Sequence, residues 1–124
     1  MKLQELSEIL AVCRLEPQSE IPAWVNKSRF FSITKTSDEL SIVCEQALVP
    51  ADMKAETDWK CFRVVGTLDF SLTGILAAIA NPLAQEKISI FAISTFDTDY
   101  LLVKENHLEN AIKVLSAAGH LINR

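Results

Sequence analysis

The sequence predicts an α+β fold made of two tandem copies of one βαββαβ unit, the first copy worn down and poor in helix. Three observations carry this. A phrase occurs twice, 60 residues apart: residues 33–45 read ITKTSDELSIVCE and residues 93–105 read ISTFDTDYLLVKE. Ile33 matches Ile93, Val43 matches Val103, Glu45 matches Glu105, and Glu39 falls on Asp99. Each copy is an apolar run, a short acidic turn and a second apolar run, the signature of a hairpin. Between the copies, Leu72, Ile75, Leu76, Ile79 and Leu83 recur at helical spacing. A second amphipathic stripe, Leu108, Ala111, Ile112 and Leu115, follows the second hairpin.

The first half reads as strands with little room for helix. Residues 8–15, EILAVCRL, suit a strand. Pro17 and Pro22 then break the chain, and residues 21–27 can hold one helical turn at most. Residues 29–35 and 40–46 are the arms of the first hairpin, and 47–58, with Pro50, form a loop or a single turn.

The second half is cleaner. Residues 60–67 read as a strand, and the helix after it can be capped by Asp69 or Ser71. Asn81-Pro82 marks its end or a kink. Residues 88–95 form a strand apolar on both faces, so both are covered. Residues 99–104 are its partner, Gly119 ends the last helix, and 120–123 make a final strand. The order βαββαβ is the split-βαβ, ferredoxin-like unit. The expected division is 1–58 for the degraded unit and 59–124 for the complete one.

Composition narrows function. At 49% hydrophobic and a mean hydropathy of +0.20, the chain is apolar for its 124 residues, which predicts a homodimer with joined sheet edges or faces. A net charge of −4 and the lack of Lys/Arg runs argue against nucleic acid. Glu5 and Glu8 interrupt any signal pattern, and the longest uncharged stretch, 70–85, is too short to span a bilayer. A cytoplasmic protein without membrane contact is expected. Cys13, Cys44 and Cys61 are widely spaced, each in an apolar run, so buried hydrophobes are expected and no metal or other cofactor. His107 and His120 neighbour no nucleophile, and Gly66, Gly74 and Gly119 are isolated, so no catalytic residue is assigned.

Residues 66–76, GTLDFSLTGIL, and 88–103, ISIFAISTFDTDYLLV, resemble the ACT domain family, as does 33–43. The likeness is to short tandem-ACT proteins of bacteria and to the ACT modules of aspartate kinases and cytosolic arginine sensors. It implies two ACT units and an amino-acid ligand. It places the ligand at the loop into the first helix and at the second hairpin turn.

The candidate binding residues are Asp69, Phe70, Ser71, Thr73, Gly74 and Ile75 in the loop and Thr95, Phe96, Asp97 and Asp99 in the turn. A helix N-terminus suits a carboxylate, and an acidic turn suits an ammonium. Leu72 falls where arginine-binding members carry an acidic side chain, which favours a smaller or apolar amino acid. Two functions stay open: a non-enzymatic amino-acid sensor acting through an unidentified partner or an oligomeric change, and an assembly module that keeps the fold without the ligand.

Overall fold

The computed structural model describes residues 1–66 and 73–124. The chain divides into two compact units, one of residues 8–59 and one of residues 1–7 with 60–124.

The unit of residues 8–59 holds β2 (Leu10–Leu15), β3 (Ser32–Lys35), β4 (Leu40–Glu45) and the first part of β5 (Ala55–Val64). The first strand, β1 (Lys2–Glu5), belongs to the other unit. The strand order is β3-β4-β2-β5, every neighbour antiparallel. Numbered within the unit this is 2-3-1-4, the order of a split βαβ.

Both crossovers of this unit are reduced to 3-10 turns, at Ala23–Lys27 and Gln46–Leu48. Pro22 starts the first, as the two-proline gap predicts. The second stops because Val49 precedes Pro50, which disfavours the helical region at Val49; its ψ is 127°. The core is correspondingly small-sided: Ala11, Cys13, Val25, Leu40, Ile42 and Cys44.

The first hairpin's leading strand begins at Ser32 instead of residue 29. Ser28 explains the delay. Its buried hydroxyl donates to the Phe30 carbonyl at 2.6 Å and accepts from the Glu45 amide at 2.9 Å. These bonds occupy the backbone that a longer strand would need.

The other unit contains β1, the rest of β5, α1 (Ile75–Gln85), β6 (Ile90–Ser94), β7 (Asp99–Lys104), α2 (Leu108–Ala117) and β8 (Leu121–Asn123). β7 pairs with β5 and β6. The sequence predicts no strand over residues 2–5 and groups them with the first half. In the structure β1 lies between β5 and β8, antiparallel to the first and parallel to the second. β5 also begins at Ala55, where the sequence predicts a strand only from Lys60.

Leu3 is the reason β1 docks. It is 1% exposed and packs with Phe62, Val64, Ile79, Leu83, Leu101 and Leu115. Burying side chains such as Ile79 and Leu83, both fully buried, stabilises by about 1.5–3 kcal/mol each.

Pro82 sits inside α1 and does not end it. Proline has no N–H, so the Ala78 carbonyl one turn earlier loses its helical donor. The ring of His120, a buried residue, meets that carbonyl with Nε2 at 3.0 Å, while its Nδ1 lies 3.0 Å from the N-terminal amine of Met1. With Nε2 as donor and Nδ1 as acceptor both contacts are satisfied. The histidine thus repairs the helix that the proline interrupts.

Because Leu3 belongs to the core, Leu3→Ala should cost about 2–5 kcal/mol despite its place near the chain start. Urea denaturation measures this. A loss below about 0.5 kcal/mol would mean that β1 is not part of the cooperative unit.

Candidate functional site

The turn of the second hairpin is built by threonines, not by its aspartates. Thr95 N–H donates to the Thr98 carbonyl at 2.8 Å, and the Thr95 hydroxyl reaches the same carbonyl at 3.0 Å. The Thr98 amide lies 3.3 Å from the Thr95 hydroxyl. The buried Thr98 hydroxyl then donates to the carbonyl of Val64, the last residue of β5, at 2.8 Å. That bond fixes the turn against the strand end from which the chain leaves toward α1.

The candidate residues of the turn separate by role. Asp99 faces Ser94 across the hairpin and accepts its hydroxyl at 2.6 Å, so this carboxylate closes the strands. Asp97 is exposed and has no hydrogen bond or ion pair among the described residues. Phe96 is 79% exposed. Thr95 is committed to the turn.

Asp69, Phe70 and Ser71 lie outside the described residues, as does Leu72. Thr73 and Gly74 are exposed, and Ile75 is the first residue of α1. The helix starts at Ile75 with Gly74 in the N-cap position; the caps expected from Asp69 or Ser71 lie outside the described residues. Gly74 has φ 76°, and a Cβ built there meets nothing within 4 Å. Conformation, not close approach, requires the glycine. Among the described residues no side chain caps the helix start. The first helical bond runs from the Ala78 amide to the Gly74 carbonyl, so the amides of Ile75, Leu76 and Ala77 precede it.

Thr98 is the residue that sequence reasoning missed. The register of the repeat explains why. The hairpins close at Lys35–Leu40 and Ser94–Asp99, so Thr36 corresponds to Thr95, a shift of 59 residues and not 60. Thr36 builds its turn in the same way, with the amides of Asp38 and Glu39 at 3.1 and 3.2 Å from its hydroxyl. The 3-10 turns Gln46–Leu48 and Glu105–His107 keep the same shift. The shared turn signal is Thr-x-Asp, at 36–38 and 95–97. At 60, Ile33–Ile93 and Val43–Val103 pair strand residues that resemble one another because strands favour β-branched side chains, while Glu39 and Glu105 lie outside the strands.

Among the described residues no group of three His, Cys, Asp or Glu side chains could hold a metal ion. The buried thiols of Cys13 and Cys44 are partners in one unit. The hydrogen bond to Cys13, then burial, pushes the Cys44 thiol far up, so Cys44 stays protonated.

The sequence model of the ACT domain matches residues 54–117. The chain belongs to the ACT domain family. A separate model of an N-terminal domain matches residues 8–52. Among curated proteins the ACT chain is similar to the human "Cytosolic arginine sensor for mTORC1 subunit 1". The two are 36% identical over 94 residues, 69% of this chain and 29% of that protein. The chain therefore spans about three-tenths of that relative's length.

Among solved structures it resembles protein Atu0741 from Agobacterium tumefaciens, with 42% identity and a TM-score of 0.92, covering 98% of this chain and 90% of that one. The ligand-free regulatory subunit of aspartate kinase from Thermus thermophilus shares the fold at 13% identity and a TM-score of 0.62, covering 90% and 93%. The ACT assignment and the tandem α+β fold thus agree with the expectation from the sequence. Among the described residues no helix is long and apolar enough to cross a membrane.

Thr98→Val removes the hydroxyl and leaves the Val64 carbonyl without that donor. A loss of about 1–3 kcal/mol in denaturant unfolding is expected. An unchanged stability would show that the turn is not held through Thr98.

Proposed function

We propose that this ACT protein is a regulatory module that binds a free α-amino acid and carries no catalytic activity. Its output passes through a partner protein or a change of oligomeric state. The observation that supports the reading most is the Thr98–Val64 hydrogen bond, which fixes the acidic turn to the strand that leads into α1. The amides of Ile75, Leu76 and Ala77, ahead of the first helical bond, suit a carboxylate, and Asp97 suits an ammonium. Phe96, largely exposed, can cover an apolar stem. Asp69, Phe70, Ser71, Thr73 and Gly74 remain proposed contacts on the loop side, with Thr95 and Asp99 supporting the turn side. The name of the curated relative, an arginine sensor, is in keeping with an amino-acid ligand.

The two units are proposed to be copies of one ACT module, joined near residues 58–60, with residues 1–7 completing the second. A second reading, assembly, is favoured by β6. This strand, Ile90–Ser94, has no charged residue, and among the described residues it pairs only with β7. Apolar edges without charge invite pairing with another strand. We take homodimerisation through β6 as part of the proposal, compatible with ligand binding.

A thermal-shift screen against the twenty amino acids tests the first reading. A true ligand at 100 times its dissociation constant should stabilise the fold by about 2.7 kcal/mol. Asp97→Asn should then weaken it by about 1.5–3 kcal/mol while leaving the stability of the free protein unchanged. No stabilisation by any amino acid counts for the assembly reading. Sedimentation tests the dimer: the wild type should sediment as a dimer at tens of micromolar and Ala92→Lys, on the exposed side of β6, as a monomer.

A further inference from the structure

We propose that the unit of residues 8–59 carries a second small-molecule site, on the face of its own sheet away from the core of Ala11 and Cys13, for a small zwitterion of the α-amino-acid class. A cavity of about 180 Å³ is lined there by Val12, Arg14, Glu39, Ser41, Lys54 and Glu56, among others. All six belong to this unit, and none is a residue of the helix start or turn described above.

Strand register explains why these side chains converge. Val12 stands opposite Glu56, and Arg14 opposite Ser41. Ala11 and Cys13, their neighbours on β2, lie in the core. Alternation along a strand therefore turns Val12 and Arg14 to the other face. Val12, Cys13 and Ala55 contribute to a lining that is mostly apolar, and Arg14, Glu39, Ser41, Lys54 and Glu56 supply its polar groups.

Charge selects the ligand class. Arg14 and Lys54 are positive, Glu39 and Glu56 negative, so the lining is neutral overall. A phosphate or a dication would meet repulsion equal to its attraction. Arg14 is already oriented, with Nη1 3.3 Å from Glu16 and Nη2 donating to the Asp38 carbonyl at 2.9 Å. Glu56 has a partner. The side chains of Glu39 and Lys54 have none among the described residues and do not pair with each other, although they line one cavity.

A molecule with a carboxylate and an ammonium on one carbon bridges such a pair. The carboxylate meets Lys54 and a spare Arg14 N–H, and the ammonium meets Glu39 and the Ser41 hydroxyl. At ~30 Å³ per water, the cavity holds about six waters, room for a small amino acid.

Amide NMR of the full chain tests this, with glycine, L-alanine and L-serine as probes and propionate and ethylamine as their half-molecules. The amino acids should move the amides of Val12, Arg14, Ser41 and Ala55 saturably, and the half-molecules should not. Lys54→Met and Glu39→Gln should each weaken the response about tenfold or more while the spectrum stays native. The proposal is overturned by no saturable movement at these amides up to about 50 mM, far above the ~1 mM of a weak specific site. It is equally overturned by half-molecules acting as well as the amino acids, or by an unchanged response in both variants. Movement confined to residues 73–75 and 95–99 overturns this site and upholds the earlier reading; movement confined to the four amides does the reverse.

Discussion

The backbone pairing of residues 2–5 with the second part of β5 is the constraint on which the larger unit depends. Leu3 faces Val64 and Glu5 faces Phe62, and on its other side β1 carries β8. Remove β1 and β8 loses its hydrogen-bonded neighbour, while the core loses Leu3. The polar groups around it are matched as well. The Lys60 ammonium, largely buried, donates to the Leu6 carbonyl at 2.9 Å and lies 3.5 Å from Glu5. Glu5 in turn meets Arg124 at 3.0 Å. A buried ammonium is tolerated only with such partners.

Both hairpin turns are also tied to a first strand, but by opposite means. In one unit the Thr98 hydroxyl reaches back to the Val64 carbonyl. In the other, Arg14 reaches forward from β2 to the Asp38 carbonyl. A threonine built into the turn leaves the strand end unencumbered. An arginine reaching the turn instead brings a charge to the sheet surface. The duplicated frame is the same, and the chemistry offered at each corner is not.

Much of this was legible in the residues. The two hairpins, the amphipathic helices and the loss of helix between Pro17 and Pro22 follow from periodicity and proline sterics. Residues 2–5 did not declare themselves, because a four-residue strand with one buried leucine has too little pattern to register. The apolar stripe predicts an earlier start for α1 because Leu72 continues it, while Gly74 at φ 76° sets the boundary by conformation alone. The acidic pattern marks the turn, but Thr95 and Thr98, not the carboxylates, hold it together. Hydroxyls that bond the backbone leave no charge signature. The loop contacts at 69–71 rest on the family resemblance.

The place of β1 also bears on the order in which the chain can assemble. During synthesis residues 2–5 emerge well before their partners at 62–64 and 121–123. The unit of residues 8–59 has its own strands complete by then and can fold while the leading segment waits. Contacts this distant in sequence close slowly, since chain entropy is lost before they form. A ribosome-bound nascent chain is therefore left with Leu3 uncovered until residues 121–123 have emerged, a window in which a chaperone has a defined apolar segment to hold.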